Sequence, residues 1–145
     1  MDFGQHSLHC HATYVLDGRS GSTAAARAHA RDFLDRRRPA LSAAQAEDVV
    51  LVVSELVANA VRHAPGPCAL DLADEGSHLA VAVSDTSPTA PVPRTADTST
   101  GTGGFGWNLV RTLAHAVQVT LHRTGGKTIT ALLPQLALSF ALHPA

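Results

Sequence analysis

The sequence has little of several features that would assign it to a specialised class of protein. Only one lysine, Lys127, stands among its eleven lysine and arginine residues, and twelve acidic residues bring the net charge to -1. A charge this small disfavours a general nucleic-acid-binding surface. The preference for arginine, together with the many alanines, suggests a GC-rich bacterial coding sequence.

Cysteines, targeting signals and long apolar runs are also scarce. Cys10 and Cys68 form neither a metal motif nor a disulfide framework, so free thiols in a reducing compartment are expected. The N-terminal segment lacks the basic and apolar regions of a secretory signal. Apolar runs such as 49–53 are far too short to span a bilayer. These absences predict a cytoplasmic protein with no membrane segment.

What the sequence does contain is the pattern of one ordinary domain. Its 145 residues, 45% of them hydrophobic, are enough to bury a core, and we expect a single domain over 1–145 with its core at about 8–134. Periodicity and turn residues predict the order β-α-α-β-β-loop-α-β-β. The predicted elements are a strand at 8–16, helices at 20–38 and 42–64, strands at 68–72 and 78–84, a loop at 86–102, a helix at 103–117, and strands at 117–122 and 128–133. This order predicts an α+β fold, a two-layer sandwich with helices on one face of a mainly antiparallel, mixed sheet.

Helix-capping signals mark the starts of the first two helices. Ser22 or Thr23 is expected to cap the first helix. Ser42, with Gln45 three residues later, forms a capping box for the second.

The second helix carries polar residues at helical spacing. Glu55 and Asn59 are four residues apart and therefore share a face, and His63 continues the stripe one turn later. A carboxylate and an amide oxygen at this spacing can place a base and a hard cation in one site. An ordinary solvated helix face is the alternative.

Two further segments could contribute to a binding site. Asp85 follows a buried-looking strand, where it could accept a hydrogen bond from an exocyclic amine or could simply be a turn residue. The glycine cluster at 101–106 precedes a helix, so its backbone could approach a phosphate closely. That cluster fits neither a Walker nor a Rossmann pattern, and a flexible loop without a ligand is the alternative.

The order of these motifs resembles that of the GHKL (histidine-kinase-like) ATPase superfamily. The helical segment 54–64 resembles its N box, whose core is Glu-x-x-x-Asn. Asp85 resembles the adenine-reading aspartate of the next box, and the glycines at 101–106 resemble the phosphate loop that closes the ATP lid. The segment 126–128 is similar to the family's final Gly-x-Thr. The resemblance implies the Bergerat ATP-binding fold, with ATP and Mg²⁺ as cofactors.

The short chain is closest in pattern to the bacterial anti-sigma-factor serine/threonine kinases. The resemblance implies that Glu55 is the catalytic base acting on a partner serine and that Asn59 binds Mg²⁺. It implies that Asp85 binds the adenine amine and that Thr128 supports the adenine site through water. The phosphates would be wrapped by Gly101, Gly103, Gly104 and Gly106, and Arg62 and His63 would lie near the site.

The resemblance also implies partners for the chain. These are a sigma factor and an anti-anti-sigma protein of the STAS type, which would be phosphorylated, and a homodimer is also implied. One departure leaves an alternative open, since the usual Asp-x-Gly-x-Gly is replaced by the segment 85–88, which lacks glycine. The alternative is a non-catalytic module that still binds ATP, or a degenerate module of the same fold that binds a partner.

A histidine-rich segment near the N-terminus is a rival candidate for a site. His6, His9, Cys10 and His11 could suggest a metal patch. On a strand, however, His9 and His11 share one face while Cys10 points to the other. We therefore expect surface histidines, with Cys10 packed inward.

Overall fold

The structure is a computed structural model that describes residues 10–64, 66–87 and 105–135. Its elements follow the predicted order. They are β1 (His11–Leu16), α1 (Ser22–Asp35), α2 (Ala43–His63), β2 (Cys68–Asp74), β3 (His78–Asp85), α3 (Phe105–Leu113), β4 (Ala116–Leu121) and β5 (Lys127–Pro134).

The five strands form one sheet in the order β1-β2-β3-β5-β4. Every pairing between these strands is antiparallel, so the expected mixed character is absent from the part of the sheet that the structure describes. The two-layer α+β arrangement itself is confirmed. α1 and α2 pack on each other and on the sheet, and α3 packs on α2.

The core lies between the sheet and the helices. Along β5 the residues alternate between buried and half-buried, so one face of the sheet points to the helices and the other away from them. The larger apolar side chains that are at most 1% exposed are Leu56, Leu70, Leu72, Leu79 and Ile129. Within the described residues, no helix is long and apolar enough to cross a membrane.

The two helix starts gave different outcomes. Ser42 is the N-cap residue of α2, and its hydroxyl accepts a hydrogen bond from the Gln45 backbone N–H at 3.1 Å, as predicted. The prediction for α1 was wrong, because the N-cap residue is Gly21 and no side chain caps the helix. The Ser22 hydroxyl instead donates to Asp17 Oδ1 at 3.0 Å.

The first strand corrects a second expectation. Cys10 is exposed and Cys68 is buried, so the inward-facing thiol is that of Cys68. His11 is also exposed, and its Nε2 lies 3.3 Å from Asp71 Oδ1. His6 and His9 lie outside the described residues. Among the described residues, no group of three or more histidine, cysteine and acidic side chains could hold a metal ion.

Candidate functional site

Asp85, the last residue of β3, is held in a buried ion pair. Its carboxylate oxygens Oδ1 and Oδ2 lie 3.0 and 2.9 Å from Lys127 Nζ, and each side chain is only 2% exposed. Asp85 Oδ1 also accepts a hydrogen bond from the Ser87 backbone N–H at 2.9 Å. The carboxylate is therefore fixed in orientation from two sides, in an environment where removing the cation would leave a buried charge uncompensated.

The pairing of β3 with β5 accounts for this contact. Asp85 lies directly opposite Lys127 in the antiparallel register, so both side chains point to the helix side of the sheet. Gly126 brings β5 close to the end of β3. Its φ is +91°, and a Cβ at this position would overlap the carbonyl oxygen of Asp85. A glycine is needed here for both reasons.

Glu55 and Asn59 lie side by side on α2, as the spacing predicted. Both are half-buried, at the edge of the stripe that α2 buries against the sheet. Arg62 and His63 occupy the last turn of α2 and are exposed. The polar face of this helix is therefore accessible at its C-terminal half.

The Glu55 carboxylate reaches the first turn of α3. A Cβ added to Gly106 would overlap Glu55 Oε1 and would lie 2.9 Å from its Cδ. The carboxylate therefore fills the space that any side chain at position 106 would need. The first turn of a helix carries unpaired N–H groups and a partial positive charge, which favour a carboxylate or a phosphate at this place.

Asp85 and the end of α2 lie at the same end of the sandwich. α2 ends at His63 and the chain returns at Cys68 to begin β2, so the C-terminal half of α2 lies over this end of the sheet. Burial raises the pKa of the Cys68 thiol, and the negative charges of Asp85 and Asp17 raise it further. The ends of β1 and β3 and the start of β2 are therefore close neighbours beside the end of α2.

Thr128 lies on the other face of the sheet. It is opposite Ser84, and the two hydroxyl oxygens are 2.7 Å apart. His122 Nε2 is 2.8 Å from the same Thr128 oxygen. Adjacent residues of a strand point to opposite faces, so the residue of the 126–128 segment that faces Asp85 is Lys127 and not Thr128.

Part of the predicted phosphate loop falls outside the described residues. Gly101, Gly103 and Gly104 lie outside the described residues, and of the predicted phosphate-binding glycines the structure describes Gly106. Among the described residues, the structure brings Glu55 and Gly106 into contact and places Asn59 one turn further along α2.

The residues fit a nucleotide with a bound cation in two respects. The start of α3 offers backbone donors next to a glycine, where a phosphate can approach closely. Asn59 offers an amide oxygen that could bind Mg²⁺, an ion that usually takes its remaining ligands from water and substrate phosphates. Asn59 could hold the cation, therefore, only together with such ligands.

A groove of about 140 Å³ lies at the opposite end of the sandwich, where Leu41, Leu79 and Leu113 contribute to its lining. Small-molecule sites are usually about 300–1,000 Å³ in volume. This groove is both too small and too far from Asp85 to be part of the same site.

Comparison with known proteins identifies a family and a similar fold. The family described as the histidine kinase-like ATPase domain matches residues 18–133. No curated protein matches the sequence. A similar solved structure is that of the RsbU and RsbW domains of Rv1364c from Mycobacterium tuberculosis, with a TM-score of 0.62 and 20% identity. The match covers 87% of this chain and 32% of that one, and at this identity the likeness is one of fold.

Proposed function

The chain belongs to the histidine kinase-like ATPase family, and we propose that it binds ATP with Mg²⁺ and regulates a partner as an anti-sigma-type serine/threonine kinase. The observation that carries this proposal is the contact between Glu55 and Gly106. It joins the polar face of α2 to the start of the helix that follows the glycine cluster. This contact supports a site in which Glu55 acts as the base and the first backbone N–H groups of α3 bind phosphate.

Each residue has a separate role in the proposed reaction. Bound ATP would supply the phosphoryl group that passes to the serine oxygen, with ADP as the leaving group, and Mg²⁺ would supply charge that offsets the phosphates. Glu55 orients the serine hydroxyl of an anti-anti-sigma partner and accepts its proton. Asn59 holds the cation through its amide oxygen, and the first N–H groups of α3, with Gly106, bind phosphate oxygens. Catalysis of this kind depends mainly on positioning and on charge neutralisation.

Three other predicted residues have more limited roles. Arg62 and His63 are exposed at the end of α2, where they can contact the nucleotide or the partner. Thr128 supports the base end of the site only indirectly, since its hydroxyl is on the opposite face of the sheet. The predicted roles of Gly101, Gly103 and Gly104 remain part of the proposal as phosphate ligands.

The kinase is tested by phosphate transfer from ATP to a STAS-type partner. Glu55→Ala should lower the rate by at least about 100-fold and leave partner binding intact, because general-base groups of this kind contribute factors of about 10²–10⁴. Glu47→Ala is a matched control, since Glu47 is an exposed carboxylate on the same helix, paired with Arg31 at 3.1 Å. Equal rates for the two variants would contradict the role of Glu55.

One observation favours a second candidate function, a partner-binding module without kinase activity. Lys127 engages both oxygens of the Asp85 carboxylate, which is the predicted acceptor for the adenine amine. A module of this kind would hold its partner as strongly in the Glu55→Ala variant as in the wild type and would transfer no phosphate in either form.

A further inference from the structure

The Asp85–Lys127 pair places a hydrogen-bond acceptor beside a hydrogen-bond donor. Asp85 offers acceptor oxygens, and Lys127, the single lysine of the chain, offers ammonium donors. Within the described residues, the hydrogen bonds of Lys127 Nζ all go to Asp85, although an ammonium group has three donors. The pair can therefore donate one more hydrogen bond while Asp85 accepts another.

The backbone fixes the positions of both groups. They are direct partners in the β3–β5 ladder, and Gly126 packs against the Asp85 carbonyl at the start of β5. The Ser87 backbone N–H holds the carboxylate from its own loop. The acceptor oxygens and the donor nitrogen are thus held about 3 Å apart on neighbouring strands. Together they can recognise a ligand edge that carries a donor beside an acceptor.

For a base that presents position 6 to Asp85 and position 1 to Lys127, this order complements adenine. The Watson–Crick edge of adenine presents an amine donor at position 6 beside a ring-nitrogen acceptor at position 1. Guanine presents an oxygen acceptor at position 6 beside an N–H donor at position 1, so its order is reversed. Asp85 facing position 6 and Lys127 facing position 1 would match adenine and would meet guanine with acceptor against acceptor and donor against donor.

We propose that Lys127 is a base-specificity residue, whose ammonium donates to adenine N1 while the Asp85 carboxylate accepts from the exocyclic amine. This inference rests on the proposed function, because it requires that a nucleotide bind at this end of the sheet. It assigns to Lys127 the position beside Asp85 that the Gly-x-Thr resemblance gave to Thr128 acting through water. Because each side chain is only 2% exposed, a base that contacts the pair would do so inside the protein and not at its surface.

The proposal is tested with nucleotide analogues that each lack one of the two base groups. 1-Deaza-ATP keeps the amine and lacks the N1 acceptor, whereas purine riboside triphosphate keeps N1 and lacks the amine. Titration of the wild-type protein should show each analogue binding at least about tenfold more weakly than ATP, the loss expected for one hydrogen bond to a charged group. GTP should bind more weakly still.

Variants at Lys127 separate base reading from folding. Lys127→Met removes the donor, so ATP and 1-deaza-ATP should bind it with nearly equal affinity even if both bind more weakly than to the wild type. Lys127→Gln keeps a neutral donor and should retain part of the preference for ATP. Lys127→Met could fail to fold because it leaves the charge of Asp85 uncompensated. In that case Lys127→Gln provides the test on its own.

The outcomes also separate this inference from the function on which it rests. If the wild type binds ATP and 1-deaza-ATP equally, Lys127 does not read N1, although ATP binding stands. If the variants keep the full preference for ATP, another group reads N1 and the proposal is overturned. If Lys127→Met binds ATP more tightly than the wild type, the ammonium competes with the base, which also overturns it. If the wild type binds none of the nucleotides, the proposed function itself fails.

Discussion

The contact between Glu55 and Gly106 predicts an unusual effect of a single added methyl group. In Gly106→Ala the new Cβ overlaps Glu55 Oε1, which belongs to the end of a flexible side chain. The helix can therefore stay in place while the carboxylate turns away. Leaving its preferred rotamer costs about 0.5–1.5 kcal/mol, whereas replacing glycine by alanine in a helix gains up to about 1 kcal/mol. These contributions nearly cancel, so the free energy of unfolding should change by less than about 1 kcal/mol.

The effect on the proposed reaction should be much larger than the effect on stability. A displacement of about 1 Å in a catalytic group can lower a rate about 100-fold. Gly106→Ala should therefore keep the thermal unfolding midpoint nearly unchanged while phosphate transfer falls by roughly that factor.

A double-mutant cycle with Glu55→Ala tests the contact itself by denaturant unfolding. Once the carboxylate is absent, Gly106→Ala has nothing to displace and should stabilise the protein by the full helical gain. The two substitutions should thus be coupled by about 0.5–1.5 kcal/mol. If Gly106→Ala changes stability equally in both backgrounds, Glu55 does not occupy the space beside Gly106, and the reasoning is refuted.

Three further predictions concern stability. Gly126→Ala should destabilise the protein by more than about 1 kcal/mol in thermal unfolding, because φ at this position is +91° and the added Cβ would overlap the Asp85 carbonyl. Gly125→Ala is the control and should cost less, since Gly125 has φ +100° but faces open space. Equal losses of stability would contradict the role of the contact with Asp85. Ser42→Ala should cost about 1 kcal/mol in urea unfolding through loss of the α2 cap, and no loss would mean that the cap is replaced by water. Backbone hydrogen bonding lowers the pKa of Asp17. The stability that the Asp17 carboxylate contributes should therefore be present above its unfolded pKa near 3.8 and should be lost as pH falls through its lower folded pKa. Asp17→Asn should lose this acid dependence of unfolding, and a variant with an unchanged pH profile would contradict the reasoning.

The sequence was most informative where structure is decided locally. Ser42 caps α2 because its hydroxyl and the Gln45 backbone N–H are brought together by the helix turn itself. Glu55 and Asn59 share a face for the same kind of reason, since the helical period alone places them there. The order of the helices and strands followed from periodicity and turn residues, and the described residues reproduce it. Most of the predicted loop at 86–102 lies outside the described residues.

The predictions failed where distant partners decide the outcome. Ser22 does not cap α1, because its hydroxyl donates a hydrogen bond to Asp17, which precedes the helix. The partner of Asp85 was missed because it depends on how β3 and β5 are paired, and a shift of one residue exchanges Lys127 for Thr128 on the helix side. The one available signal was that the only lysine of the chain follows a glycine and directly precedes the predicted closing strand.

The central claim, that this end of the sandwich binds ATP through Mg²⁺, is most directly tested by calorimetric titration of the full chain with ATP, with and without Mg²⁺. The wild type should bind ATP more tightly with Mg²⁺, and Asn59→Ala should lose that dependence. Gln118→Ala, which removes an exposed amide on β4, should behave as the wild type does. Folded wild-type protein that binds no ATP under either condition, or an Asn59→Ala variant that keeps the full magnesium effect, would contradict the account.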